Sequence, residues 1–372
     1  MDKKTVNILF HSNLFKNANG EYICKEVFAD YFNNYDNFHI NLISPISSKK
    51  EFFHTKKLSK KINVFSIPNK IFKKINFFIK MAKKTEKHLV FMPTFSNALY
   101  CLILILLRKK YIIYHGIDWS FNERINNNNQ NILARFRPFF SFLLDNIVSN
   151  KSAFIITAGK QIRDKYKSFK PEVIETQPII GFENVDNSYL LKNDKFNILY
   201  VGSLEERKGI FDLLRVASHF KDSNTKFNII GGGSNIIESK LNDFCIQNNL
   251  ASTVNFIGYK KNGHDLFDYY RSSQVFILPS YSEGMPRVLY EAMYFKVPIV
   301  STNVNGIPYL LKDNYNAFLI KPGDVLSMKD RILKLKNNKD LRKKFIENSF
   351  PIIKDIINEP AFKQHQKILD RI

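Results

Sequence analysis

Ser282-Glu283-Gly284-Met285-Pro286-Arg287-Val288-Leu289-Tyr290-Glu291-Ala292-Met293 carries two glutamates with seven residues between them. The apolar run Val275-Phe276-Ile277-Leu278-Pro279 precedes it and reads as a strand. Gly284 and Pro286 mark a turn, and the residues after them have helical spacing. A strand ends, the chain turns and a helix begins. Glu283 stands at the mouth of the turn, and Glu291 lies about two helical turns further in, on nearly the same face. Two carboxylates flanking a helix start suit a polyhydroxylated, phosphorylated ligand. The helix end attracts phosphate, and the carboxylates accept hydrogen bonds from sugar hydroxyls. Taken alone, the spacing also describes an ordinary helix with a solvated glutamate.

Working outward, strands alternate with helices twice over. Strands are predicted at 6–10, 39–43, 88–92, 111–114 and 153–157, with helices at 22–32 and 97–108. The period restarts with strands at 196–201, 227–230, 254–257, 275–278 and 298–301. Such alternation predicts α/β architecture, with parallel sheets covered on both faces. The stretch from 184 to 195 is polar and irregular, so the chain divides into an N-terminal domain at 1–184, a linker at 185–195 and a C-terminal domain at 196–351.

Composition bounds the function. The chain has 372 residues, enough for two or three domains, and its 44% hydrophobic content supports globular cores. Net charge is +22 and unevenly placed: residues 51–114 hold 14 Lys/Arg against 2 Asp/Glu, residues 201–300 hold 11 against 10. A basic first half favours a polyanion, whether an anionic membrane, a nucleic acid or a phosphorylated substrate. No zinc spacing, recognition motif or basic-aromatic RNA signature supports nucleic acid. Residues 70–87 place Phe72, Ile75, Phe78, Ile79 and Ala82 at helical spacing among lysines. That is either a basic amphipathic helix lying on a membrane or a domain helix with its stripe turned inward. Cys24, Cys101 and Cys245 are scattered, as expected in a reducing cytosol. The start of the chain reads as no signal peptide, and the apolar run from Ala98 to Leu107 is too short to span a bilayer. A cytoplasmic location is expected, with a peripheral membrane position open.

The segment Ser282 to Gly323 resembles the donor-site signature of retaining GT-B glycosyltransferases, glycosyltransferase family 4. After the two acids come Val297-Pro298-Ile299-Val300 and the loop Asn305-Gly306-Ile307-Pro308. The resemblance implies two Rossmann-like domains facing across a cleft. The C-terminal domain would bind the nucleotide sugar and the N-terminal domain the acceptor, with a last helix at 352–372 packing back onto the first domain. It also implies a hexosyltransferase acting on a UDP-sugar in bacterial surface polysaccharide or lipopolysaccharide biosynthesis. The acceptor would be a glycan or lipid-linked glycan.

The loop Gly202-Ser203-Leu204-Glu205-Glu206-Arg207-Lys208-Gly209 joins a strand to a helix, a good setting for a diphosphate cation. In the family pattern Lys208 is present, whereas Ser203 stands where a second cation is usual, leaving Arg207 as a substitute. By the same resemblance Glu283 contacts the donor sugar, Glu291 holds the ribose hydroxyls, and Gly258 and Tyr259 meet the base. Gly284, Met285 and Pro286 form the helix start under the phosphates. His115 would lie beside the donor sugar, Asp118 would contact the acceptor, and Gly20 stands in the first glycine-rich loop. His115 reads equally as a structural histidine at a strand end. The chain has no Asp-x-Asp pair and no convincing metal-ligand spacing, so neither metal nor cofactor is expected. Two other readings share the architecture. A nucleotide-sugar 2-epimerase would turn over donor without acceptor, and a non-catalytic sugar-nucleotide-binding subunit would bind without turnover.

Overall fold

A computed structural model of the protein describes residues 4–47, 55–116, 132–176, 179, 195–221, 224–261 and 263–372. The chain divides into two compact units, Met1–Phe182 with Asn358–Ile372, and Glu183–Ile357. The expected linker lies outside the described residues, save Lys195.

In chain order the first unit contains β1 (Lys4–Leu9), β2 (Leu14–Lys16), β3 (Tyr22–Lys25), α1 (Glu26–Asn33), β4 (Phe38–Ser44), β5 (Ile46–Ser47), β6 (Thr55–Lys57), β7 (Asn63–Ser66), α2 (Ile71–Lys84), β8 (Lys87–Met92), α3 (Phe95–Leu106), β9 (Ile112–His115), α4 (Ile132–Asn150), β10 (Phe154–Ala158), α5 (Lys160–Tyr166) and β11 (Glu172–Thr176). Seven strands form a parallel sheet in the order β11-β10-β9-β8-β1-β4-β7. Counted from β1 outward, the order reverses between β1 and β8, as in a Rossmann sheet. The pleat sends Ile8 and Leu9 to opposite faces. Ile8 joins a core with Tyr31, Phe32, Ile368 and Leu369, and Leu9 joins one with Phe78, Met81, Tyr100 and Leu104.

One local reading is corrected here, and one open alternative is narrowed. The expected helix at 22–32 begins only at Glu26, because Tyr22–Lys25 pairs antiparallel with β2 and β6 as a strand. The apolar stripe of α2 turns inward: Phe78, Met81 and Ala82 are buried against α3, and Ile75 and Ile79 pack on the same core. Its lysines line the outer face, and only Ile71 and Phe72 of its apolar residues stand exposed. Among the described residues no helix is long and apolar enough to cross a membrane.

The second unit contains β12 (Phe196–Val201), α6 (Ile210–Ala217), β13 (Thr225–Ile230), α7 (Asn235–Gln247), β14 (Val254–Gly258), α8 (His264–Arg271), β15 (Val275–Leu278), α9 (Arg287–Tyr294), β16 (Ile299–Thr302), α10 (Ile307–Leu310), β17 (Ala317–Ile320), α11 (Val325–Asn337) and α12 (Lys339–Asn358). Its six-stranded sheet is again parallel, in the order β14-β13-β12-β15-β16-β17. The order reverses between β12 and β15, which are hydrogen-bonded neighbours. Ligands of such sheets bind beyond the carboxyl ends of the strands at that reversal. The two loops leaving it are Gly202–Gly209 after β12 and Pro279–Pro286 after β15.

A last helix, α13 (Ala361–Asp370), belongs to the first unit. His365 is fully buried there, one ring nitrogen 2.6 Å from the Tyr31 hydroxyl and the other 3.1 Å from the Thr176 hydroxyl. The returning segment is therefore shorter than the expected 352–372, since residues up to Ile357 end a helix of the second unit.

Candidate functional site

Glycine packing shapes the site of the second unit before any polar group enters it. Gly209 adopts φ +70°, and a Cβ there would meet the Pro279 carbonyl oxygen at 2.0 Å. The β12 loop thus lies directly against the chain leaving β15. Gly231, at φ +149°, would meet the Gly202 carbonyl oxygen at 1.8 Å. Its place in the Gly231-Gly232-Gly233 run is explained by backbone packing. The Tyr281 amide donates to the Arg207 carbonyl at 2.8 Å and pins the two loops together.

That contact brings Lys208 to Glu283. The Lys208 ammonium lies 2.6 Å from Glu283 Oε1, and the Ser280 hydroxyl donates to the same oxygen at 2.6 Å. Glu283 is only 7% exposed, so its charge needs these partners. Sequence reasoning did not single out Ser280; its position three residues before the glutamate at a strand end is the signal. Behind Glu283, Asn305 donates to the Ser282 hydroxyl at 3.2 Å, so the Asn-Gly-Ile-Pro loop braces the turn. Gly284 is exposed beside it, and α9 starts after Pro286 with no side-chain cap on its first amides. An uncapped helix start beside a lysine is an anion-binding arrangement.

Glu291 sits deeper, at 3% exposure. Tyr270 donates to one of its oxygens at 2.7 Å and Arg287 to the other at 2.9 Å. Burial and the neighbouring Glu291 carboxylate push the Tyr270 hydroxyl well above its ordinary range, so it stays a donor at neutral pH. Neither Tyr270 nor Arg287 was anticipated, although Arg287 precedes Glu291 by one helical turn. Arg207 does not join the group: its side chain is half exposed and paired with Glu205 at 2.7 Å. Gly258, at φ +74°, borders a cavity of about 150 Å³ together with Leu204, Gly231 and Phe256. Tyr259 is exposed next to it. A larger cavity of about 840 Å³, lined by Lys195, Lys296, Lys336 and Arg342, lies at the amino ends of the strands, the wrong edge for a Rossmann ligand.

Three expected residues belong to the first unit. His115 ends β9 with no exposed surface; its ring stacks on Tyr166 at 4.3 Å, and Nε2 lies 3.1 Å from the Ser149 hydroxyl and 3.6 Å from Asp145. Among the described residues this is a buried polar cluster, which fits the structural alternative read for His115. Gly20 takes φ +79° at the tip of the β2–β3 hairpin, outside any strand-to-helix loop. It serves the turn, which removes the reason for placing phosphate there. Asp118 lies outside the described residues.

Residues 181–350 match the family model described as glycosyl transferases group 1. The chain is 28% identical over 268 residues to an uncharacterized glycosyltransferase of Methanocaldococcus jannaschii, which covers 72% of this chain and 71% of that one. It is 26% identical over 242 residues to the capsular polysaccharide biosynthesis glycosyltransferase CapM of Staphylococcus aureus, covering 58% of this chain and 62% of the relative. Among solved structures, Anabaena HepE in complex with UDP superposes with a TM-score of 0.73 at 12% identity, over 99% of this chain and all of that one. With two Rossmann-like units, the protein is a GT-B glycosyltransferase, a transferase enzyme. Within that class, it is the second unit that carries the group 1 match.

Proposed function

We propose that the protein is a retaining glycosyltransferase that moves a sugar from a UDP-sugar to a hydroxyl of a growing bacterial surface glycan. CapM, named for capsular polysaccharide biosynthesis, supports the acceptor class, and HepE, solved with UDP, supports the base. The observation that carries the reading is the Lys208–Glu283 pair at the sheet's reversal point. The donor diphosphate sits over the start of α9 at Gly284, Met285 and Pro286, and draws Lys208 to itself. Glu283 is thereby released to accept hydrogen bonds from the donor sugar. Glu291 takes the ribose hydroxyls, and Gly258 and Tyr259 flank the base.

In the reaction the bond from the anomeric carbon to the diphosphate oxygen breaks, and a bond to the acceptor oxygen forms on the same face. The acceptor proton leaves on the diphosphate. Glu283 stabilises the cationic sugar, while Lys208 and the α9 amides stabilise the departing anion without a metal. The acceptor is lipid-linked or lipopolysaccharide-like, and the basic first half holds the enzyme at the inner face of an anionic membrane. Glu283→Gln, which keeps the Ser280 hydrogen bond, is expected to slow transfer from UDP-sugars by about 10²–10³ while the melting temperature stays close to wild type. Undiminished turnover in that variant would remove Glu283 from the chemistry.

A further inference from the structure

The apolar surface of the first unit is concentrated on one side of α4. Phe136, Phe139, Phe140, Phe142, Leu143 and Ile147 are each between 43 and 62% exposed. Their spacing gathers them into an arc of about 160° on the helix. The opposite side carries Ser141, Asp145, Val148 and Ser149, all buried. Asp145 and Ser149 are the partners of His115 and Tyr166. This helix therefore turns polar groups inward together with Leu144 and Val148, and leaves its four phenylalanines outward, more apolar surface than a globular surface helix exposes.

The stripe does not stand alone. Helix α3 packs between α2 and α4 in one layer on the sheet. Helices of a parallel sheet run against the strands, so their first turns gather at the strands' carboxyl edge. Ile71 and Phe72 are exposed in the first turn of α2, and Phe95 in that of α3. Exposed cations are interspersed: Lys70, Lys73 and Arg137, whose guanidinium lies 5.8 Å from the centre of the Phe95 ring. Aromatic side chains mixed with Lys and Arg are what a headgroup boundary accommodates.

We propose that this belt docks on an anionic lipid bilayer, with the α4 stripe entering the headgroup boundary and the cations meeting lipid phosphate. The proposal rests on the membrane part of the function proposed above and adds the element that inserts. A second copy of the chain fits the belt less well. Six half-exposed side chains offer on the order of 600 Å², below the roughly 800 Å² per partner of a stable interface. Each copy also carries a net charge of +22, which repels its twin and attracts anionic lipid.

The test is co-sedimentation of the full chain with phosphatidylcholine vesicles, with and without phosphatidylglycerol, in the absence of nucleotide. Binding is thus read independently of transfer chemistry. Wild type should bind the phosphatidylglycerol vesicles preferentially. Phe139→Ser/Phe140→Ser/Leu143→Ser should weaken that binding by about tenfold or more at an unchanged melting temperature. Ile236→Ser, at an exposed apolar site of the second unit, should not change it. Should the triple variant misfold, Phe140→Trp in a Trp119→Phe background gives a second reading, since brominated lipid should quench that tryptophan. Equal binding to both vesicle types, retained binding by a folded triple variant, or an unquenched tryptophan would each overturn the proposal. So would a wild-type dimer that the triple variant dissolves while vesicle binding persists, because the occupant would then be a second copy.

Discussion

Lys208 is held by Glu283, and both are enclosed enough for the pairing to matter. Removing one partner of a sheltered ion pair leaves the other charge unmet. Lys208→Met is expected to lower stability by about 2–3 kcal/mol and to raise KM for the donor more than tenfold. Glu283→Gln should instead lower kcat by about 10²–10³ with little change in KM. Steady-state kinetics and urea unfolding separate the two. The glycines give a sharper residue-scale prediction. A methyl at Gly231 or Gly209 would come within 2.0 Å of a carbonyl oxygen of the adjoining loop. Gly231→Ala should therefore cost at least about 3 kcal/mol, whereas Gly258→Ala, with open space around it, should cost only its backbone strain. Denaturant midpoints of the two variants decide this.

At the level of elements, legibility followed burial. The strands next to each sheet's reversal point were readable as apolar runs because both of their faces are covered. The strands missed in the large sheets, β7, β11 and β17, are all edges. Two of them carry polar residues such as Asn63, Glu172 and Glu175, which blur the alternation. Helix α4 escaped because its apolar stripe does not point to a core. In the candidate site, Glu283 and Glu291 stood out by their spacing and Lys208 by its strand-to-helix loop and the family pattern, whereas Tyr270 lies far off in sequence and Ser280 offers only its place three residues before Glu283. The returning helix α13 carries its own prediction. Burial pushes His365 down to about 3, and His11 and His88 to about 4. The unfolded chain takes protons at these rings below about pH 6.5 and the folded chain does not. Stability is then full above that pH and falls as acid is added, by up to ~1.4 kcal/mol per pH unit for each ring. Melting curves between about pH 7 and 4.5 should show this decline, and His365→Gln should flatten it while lowering the neutral-pH value.

For the whole molecule, the two sheets share one strand order except for an extra edge strand in the first, yet the chemistry has been built asymmetrically. The second unit brings a cation, two acids and an uncapped helix start to its reversal point. Among the described residues, the first unit contributes a buried histidine cluster and a basic, aromatic outer layer. Donor nucleotide should accordingly stabilise the protein through the second unit. At a hundredfold excess over Kd the gain is about 2.7 kcal/mol, and a thermal-shift panel of sugar nucleotides should single out the true donor. A panel in which no sugar nucleotide raises the melting temperature, while Lys208 and Glu283 remain intact, would count against a donor site at this place.

Tyr31 and His365 touch across 334 positions of chain. During translation the early half emerges with its Tyr31 corner uncovered and stays unsealed until the later half has passed through the ribosome. The second unit is thus able to finish first although it is made later. A nascent chain arrested before α13 should expose its earlier half to protease, and supplying residues 358–372 as a separate peptide should restore protection.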